Sequence, residues 1–201
     1  MVTYLEFIAP GMVALSAMYS ATFECTYGTF LRLHYQKTLQ AILVGPVTVG
    51  EVIAGELLYG MFKSVLFGVV ILIVVSTLGL VPAVTAVFIP LFLVLPGAVF
   101  SILAVCYTAM IKNIDQLNYY ITLAIMPFFL FGGLYFPVGN LPDWVQQLNW
   151  INPLYHSIEV CRSLALGKIS PQLWEHVAVL AAMILVLARL PLRLMKKRLL
   201  T

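Results

Sequence analysis

Four charged side chains interrupt otherwise apolar sequence: Glu24 stands eight residues before Arg32, and Glu56 stands seven before Lys63. A charge inside a membrane-crossing stretch is costly, so such groups pair with one another or line a polar path. At 1.5 Å per residue each spacing covers roughly 10–12 Å of helix. On two neighbouring antiparallel helices, Arg32 would meet Glu56 at one level and Glu24 would meet Lys63 at another. The spacing therefore predicts two stacked ion pairs. The same residues also allow Lys63 to extend its amine to the membrane surface while Glu24 faces another helix.

Other reactive side chains are scattered. His34 falls in a different segment from His156 and His176, and Cys25, Cys106 and Cys161 have no paired spacing, so neither a metal site nor a disulfide framework is expected. The chain has no H-E-x-x-H, no G-x-S-x-G elbow and no phosphate-cradling G-x-x-x-x-G-K-[ST]. The expectation is a protein that is not an enzyme and carries no cofactor; if ATP drives it, the ATP site is on another chain. Ser101, Thr108, Tyr107, Tyr119 and Tyr120 could line a polar path, although hydroxyls in membrane helices commonly bond across helices.

The elements that hold these residues are set by hydropathy. Hydrophobic residues make up 62% of the chain and charged ones 9%, which leaves too little polar surface for a water-soluble domain. Five apolar runs, at about 7–30, 52–78, 84–111, 117–136 and 174–192, approach the ~20 residues needed to cross the hydrocarbon core. The fold class expected is all-α, a single transmembrane domain over residues 1–201. G-L-V-P-A after the second run is a tight turn, making runs two and three a hairpin. Pro90, Pro96 and Pro127 lie inside runs and predict kinks.

If the spans alternate in direction, Arg32, Lys37, Lys112, Arg189, Arg193, Lys196, Lys197 and Arg198 share one side, and only Arg162 and Lys168 lie on the other. Eight against two places the first loop and the C-terminus in the cytoplasm by the positive-inside rule. The basic C-terminus reads as an anchor to anionic lipid, not as a nucleic-acid site. An external start with an odd span count suggests that an earlier span precedes Met1.

Two loops are informative. The cytoplasmic segment 32–50 puts Leu33, Leu39, Ile42 and Leu43 near one face at helical spacing and His34, Gln36, Lys37 and Gln40 on the other, an amphipathic surface helix that a soluble partner could grip. The external segment contains two helix starts, Asn140 before Leu141-Pro142 and Asn152 before Pro153, with Gly167 as a stop. Short helices over 142–150 and 153–166 would lie at the outer interface, with Trp144, Trp150 and Trp174 as anchors and Glu159 paired with Arg162.

The run from Arg32 through Gly45-Pro46-Val47-Thr48 to Gly55-Glu56, with F-G-G-L-Y-F-P-V-G-N-L-P-D-W and L-N-W-I-N-P-L-Y-H-S-I-E-V-C-R-S-L-A-L-G, resembles the permease subunit of type-2 ABC exporters, nearest the nodulation-protein-J group. The resemblance implies a bacterial inner-membrane permease that pairs with a second permease and with ABC ATP-binding subunits, and exports an amphiphilic substrate such as a lipo-oligosaccharide. Drug or polysaccharide export uses similar permeases. It also implies a coupling helix at Arg32–Val44, with Arg32, His34, Gln36, Lys37 and Gln40, and re-entrant external helices. Such permeases have six spans after an interfacial helix, so this chain resembles one that starts just before the second. Rival classes are a membrane-embedded enzyme acting on lipid-linked sugars, which would need a carboxylate or His cluster, and a non-transporting assembly factor.

Overall fold

A computed structural model describes residues 3–136, 138–140 and 142–199, and among these every regular element is helical. Helix α1 runs over Tyr4–Phe23 and continues through two π-helical turns, Glu24–Gly28 and Leu31–Tyr35. Helix α2 is the short Thr38–Ile42, α3 is Val49–Thr77 and α4 is Val84–Met110. Helix α5 spans Gln116–Phe131, α6 Asp143–Asn149, α7 Pro153–Ala165 and α8 Pro171–Leu199.

Local sequence explains the boundaries. Thr48 caps α3 by accepting from the Glu51 amide while the Glu51 carboxylate takes the Thr48 amide at 2.7 Å. Helices α3 and α7 both close with a glycine at positive φ, Gly79 at 72° and Gly167 at 68°; the next amide bonds back, Leu80 N to Val75 O at 3.1 Å and Lys168 N to Ser163 O at 2.9 Å. The three prolines sit where the ladder is already loosened: Pro90 after a 3₁₀ turn, Pro96 just past a break at Leu93, and Pro127 after the π turn Ile121–Ile125.

Helix α1 is the hub, packed against α3, α4 and α7. Its buried face is built from small residues, Ala9, Gly11, Ala14, Ala17 and Ala21, which let neighbouring backbones come close. Gly60 on α3 faces Cys25 and Ser101, and Gly97 on α4 faces Ser64. Hydroxyls stitch the helices together: Thr108 Oγ1 donates to Cys25 O at 3.1 Å, Ser20 Oγ to Lys63 O at 3.2 Å and Ser64 Oγ to Leu93 O at 3.4 Å. Tyr107 donates to Gln116 O at 2.7 Å and its ring stacks on Tyr120.

Among the described residues three helices, α3, α4 and α8, are long and apolar enough to cross a membrane. The expected fourth run ends at Phe131 instead of 136, because Gly132 and Gly133, the latter at φ 74°, turn the chain there, and α5 is the shorter for it. The first run is a long helix whose apolarity is diluted by Ser16, Ser20, Thr22 and Glu24. Length and composition thus support three of the five expected spans. Of the segment starting at Asn140, Leu141 and the Asn140 side chain lie outside the described residues, and Pro142 is the residue before α6.

Candidate functional site

The four charges first singled out meet between α1 and α3. Arg32 Nε and Nη2 donate to the two Glu56 oxygens at 2.9 and 2.8 Å, and Arg32 Nη1 donates to Glu24 Oε1 at 2.9 Å. Glu24 Oε2 lies 3.9 Å from the Lys63 amine. Arg32 therefore belongs to both levels, and the two expected pairs become one chain, Lys63–Glu24–Arg32–Glu56, with no net charge.

The backbone makes this possible. In a regular α-helix residues eight apart are rotated by about 80° from each other. The π turn Glu24–Gly28 places more residues in its turn, reduces that rotation, and brings Arg32 beneath Glu24. Gly28 lies between them: a Cβ there would stand 2.5 Å from Glu24 Oε1 and 3.3 Å from Arg32 Nη2. Thr29 Oγ1 donates to Glu56 Oε2, and Glu56 is 8% exposed, so the carboxylate is desolvated but fully bonded. The Tyr59 ring lies 5.6 Å from the Arg32 guanidinium and 5.4 Å from the Lys63 amine. Beside the network an open cavity of about 440 Å³ is bounded by Tyr19, Phe23, Glu24, Lys63 and Phe67.

Residues 32–44 do not form one helix. The chain breaks at Lys37, which adopts a left-handed conformation (φ 52°), and only Thr38–Ile42 is helical beyond it. Leu33 and Leu39 are both buried, yet in a continuous helix six residues would set them about 120° apart. The break lets both face the core. Arg32 is turned inward to the carboxylates, and Gln40 Nε2 donates to Leu33 O at 2.9 Å. His34 stacks on Phe30 and lies 3.1 Å from Arg198 Nη2, which also donates to Ile111 O at 2.9 Å. Burial and the adjacent Arg198 charge both hold the His34 imidazole below its ordinary value. Gln36 and Lys37 are exposed, as are Tyr35 and Val44, which hydropathy alone had not singled out.

At the opposite end of α1 lie α6 and α7. Asn152 caps α7 by accepting from the Leu154 amide at 3.0 Å, Pro153 takes the first helical position, and Asn152 Nδ2 donates to Phe128 O at 3.0 Å. Arg162 is buried beneath them. It donates to Glu159, to Phe7 O at 3.3 Å and to Gly133 O at 3.1 Å, and its guanidinium lies 3.7 Å from the centre of the Phe7 ring. It thus ties α7 to the start of α1 and to the turn after α5. Trp144, Trp150 and Trp174 are exposed around this end. An apolar cavity of about 310 Å³ lies between α5 and α6, walled by Phe128, Phe131, Trp144 and Leu148.

Comparison with known proteins covers both ends. The family described as ABC-2 type transporter matches residues 2–166, which include the charge network, the Lys37 break and the Asn152-capped helix. The chain is 37% identical to nodulation protein J of Rhizobium meliloti (strain 1021) over 198 residues, covering 98% of this chain and 76% of the relative. Nodulation protein J of Sinorhizobium fredii (strain NBRC 101917 / NGR234) is 34% identical over 200 residues, with 100% and 76% covered. The inner membrane transport permease YadH of Escherichia coli (strain K12) is 28% identical over 167 residues, covering 82% and 64%.

Proposed function

Because this chain belongs to the ABC-2 type transporter family, we propose that it is the permease subunit of an ATP-driven exporter that moves an amphiphilic substrate, of lipo-oligosaccharide type, out across the bacterial inner membrane. ATP is hydrolysed on a separate ABC ATP-binding subunit, and two permeases assemble around the substrate path. The end that carries Arg32 and α8's basic turn faces the cytoplasm, in keeping with the cation bias. The spans 7–30 and 117–136 join the three long helices in crossing the membrane.

The observation that carries the reading is the exposed segment around Lys37. Tyr35, Gln36, Lys37, Ile42 and Val44 stand out from a loop that is anchored by Leu33 and Leu39 in the core and by Gln40 on Leu33 O. Such a segment offers an ATPase both apolar grip and charge. A push on it reaches the charge network directly, since Arg32 lies in the same π turn as Tyr35. The network then acts as the moving joint between α1 and α3, and the adjoining Tyr19–Phe23–Lys63 cavity meets the polar part of the substrate. A ligand bound equally by both states would shift nothing, so that cavity must differ between them.

The matching experiment is co-purification with the cognate ATP-binding subunit from membranes. Native protein is expected to retain the subunit, and a Tyr35→Ala/Lys37→Glu double variant of normal fold is expected to lose it. Retention by the double variant would remove this segment from the coupling role.

A further inference from the structure

We infer that His156 and His176 form a proton-binding site at the contact between α7 and α8, one that keeps the contact with a single added proton and breaks it with a second. The two Nδ1 atoms lie 2.7 Å apart, and His156 Nε2 lies 3.0 Å from the Trp150 carbonyl oxygen. A carbonyl only accepts, so His156 Nε2 carries the hydrogen. In the neutral ring His156 Nδ1 is then a bare acceptor, and His176 Nδ1 must carry the hydrogen between the rings.

The protonation order follows. The first added proton goes from water to His176 Nε2, the remaining free nitrogen; His176 keeps its Nδ1–H, and the hydrogen bond to His156 becomes charge-assisted. A second proton could enter only at His156 Nδ1, the acceptor. That would set two N–H groups and two positive rings against each other at 2.7 Å, so the rings must part. His156 has no exposure with which to relieve the charge in place, and burial already holds its imidazole below the ordinary value.

The surroundings point the same way. Of the carboxylates near the pair, Glu175 on α8 acts on His176, where the first proton enters, while Glu159 on α7 acts on His156 and is itself engaged by Arg162. The Tyr155 ring packs on both imidazoles and the Trp150 ring stacks on His176. The pair joins the Asn152-capped helix to the last long helix, so the contact is present at neutral pH, survives the first protonation and is lost as pH falls through the second.

Nitrogen-15 NMR of the full chain in lipid nanodiscs, labelled on histidine and titrated from neutral to acid, tests this. The expected result is a His156 ring with hydrogen on Nε2, a 15N–15N coupling across the Nδ1 pair that survives the first step and vanishes at the second, and steps more than ~1 pH unit apart. His176→Ala and His176→Asn should each move the His156 titration upward by more than ~1 pH unit. Two coincident independent titrations, a coupling that outlasts the second step, or a His156 titration unmoved in both variants would each overturn the inference.

Discussion

Of the neutralisations at Glu24, Glu56 and Lys63 around Arg32, Glu56→Gln should be the most damaging, and the geometry gives its size. Glu56 accepts two Arg32 bonds at 2.9 and 2.8 Å and one from Thr29, with its side chain 10% exposed. Breaking a buried pair from one side costs ~3–5 kcal/mol. Arg32 keeps Glu24 and is itself part-exposed, which reduces the expected loss to about 2–4 kcal/mol. Glu24→Gln forfeits one direct bond and the 3.9 Å approach of Lys63, about 1–2 kcal/mol. Lys63→Met forfeits that approach and the Tyr59 ring contact, at a part-exposed amine, ~0–1 kcal/mol. Arg32→Met leaves two carboxylates facing each other, while the triple variant Glu24→Gln/Arg32→Met/Glu56→Gln removes the charges together and should recover most of the loss. Equilibrium unfolding in mixed detergent–SDS micelles reads these free energies. Equal costs for the three neutralisations, or a triple variant no better than Arg32→Met alone, would refute a network centred on Arg32.

Further outcomes follow from other contacts. Gly60→Ala drives a methyl into Ser101 Oγ and Cys25 Sγ where α1, α3 and α4 meet, and should cost about 1–3 kcal/mol in the same unfolding assay. Arg162→Lys keeps the charge but cannot reach Glu159, Phe7 O and Gly133 O together; a loss of about 1–3 kcal/mol is expected, with faster proteolysis around Gly133. Lys37→Gly relieves a left-handed residue and should stabilise by about 1 kcal/mol while weakening retention of the ATP-binding subunit, which separates coupling from folding. His34 is held below its ordinary value in the folded chain, so as pH falls through that ordinary value the unfolded chain takes a proton the folded one refuses, and stability falls. Arg198→Gln should reduce that acid sensitivity between pH ~7 and ~5.

The helices were legible because hydropathy and end signals agree on them. Asn152 with Pro153, Gly79 and Gly167 all mark ends, and α3, α4 and α7 begin or end within a few residues of the expected places. The family was legible from the same loops. Hydropathy could not show that a π turn brings Arg32 beneath Glu24, since polarity does not register an extra residue in a turn. Nor could it show the break at Lys37, although Leu33 and Leu39, six apart and both apolar, carried a trace of it. The His156–His176 contact was reachable in part: His156 falls on the external segment and His176 at the outer end of the fifth run, but ring pairing across twenty residues is decided by tertiary structure alone. Length and apolarity alone support three of the five expected spans, because Gly132-Gly133 ends α5 early and polar residues dilute α1.

The most direct test of the proposed transport role uses the full chain and its ATP-binding subunit in sealed proteoliposomes with a fluorescent lipo-oligosaccharide. ATP should drive the labelled lipid from the ATPase-facing leaflet to the other, and Tyr35→Ala/Lys37→Glu should abolish that movement while leaving the folded permease in the membrane. Movement that proceeds equally without ATP, or equally in the double variant, would contradict a permease driven through the segment around Lys37.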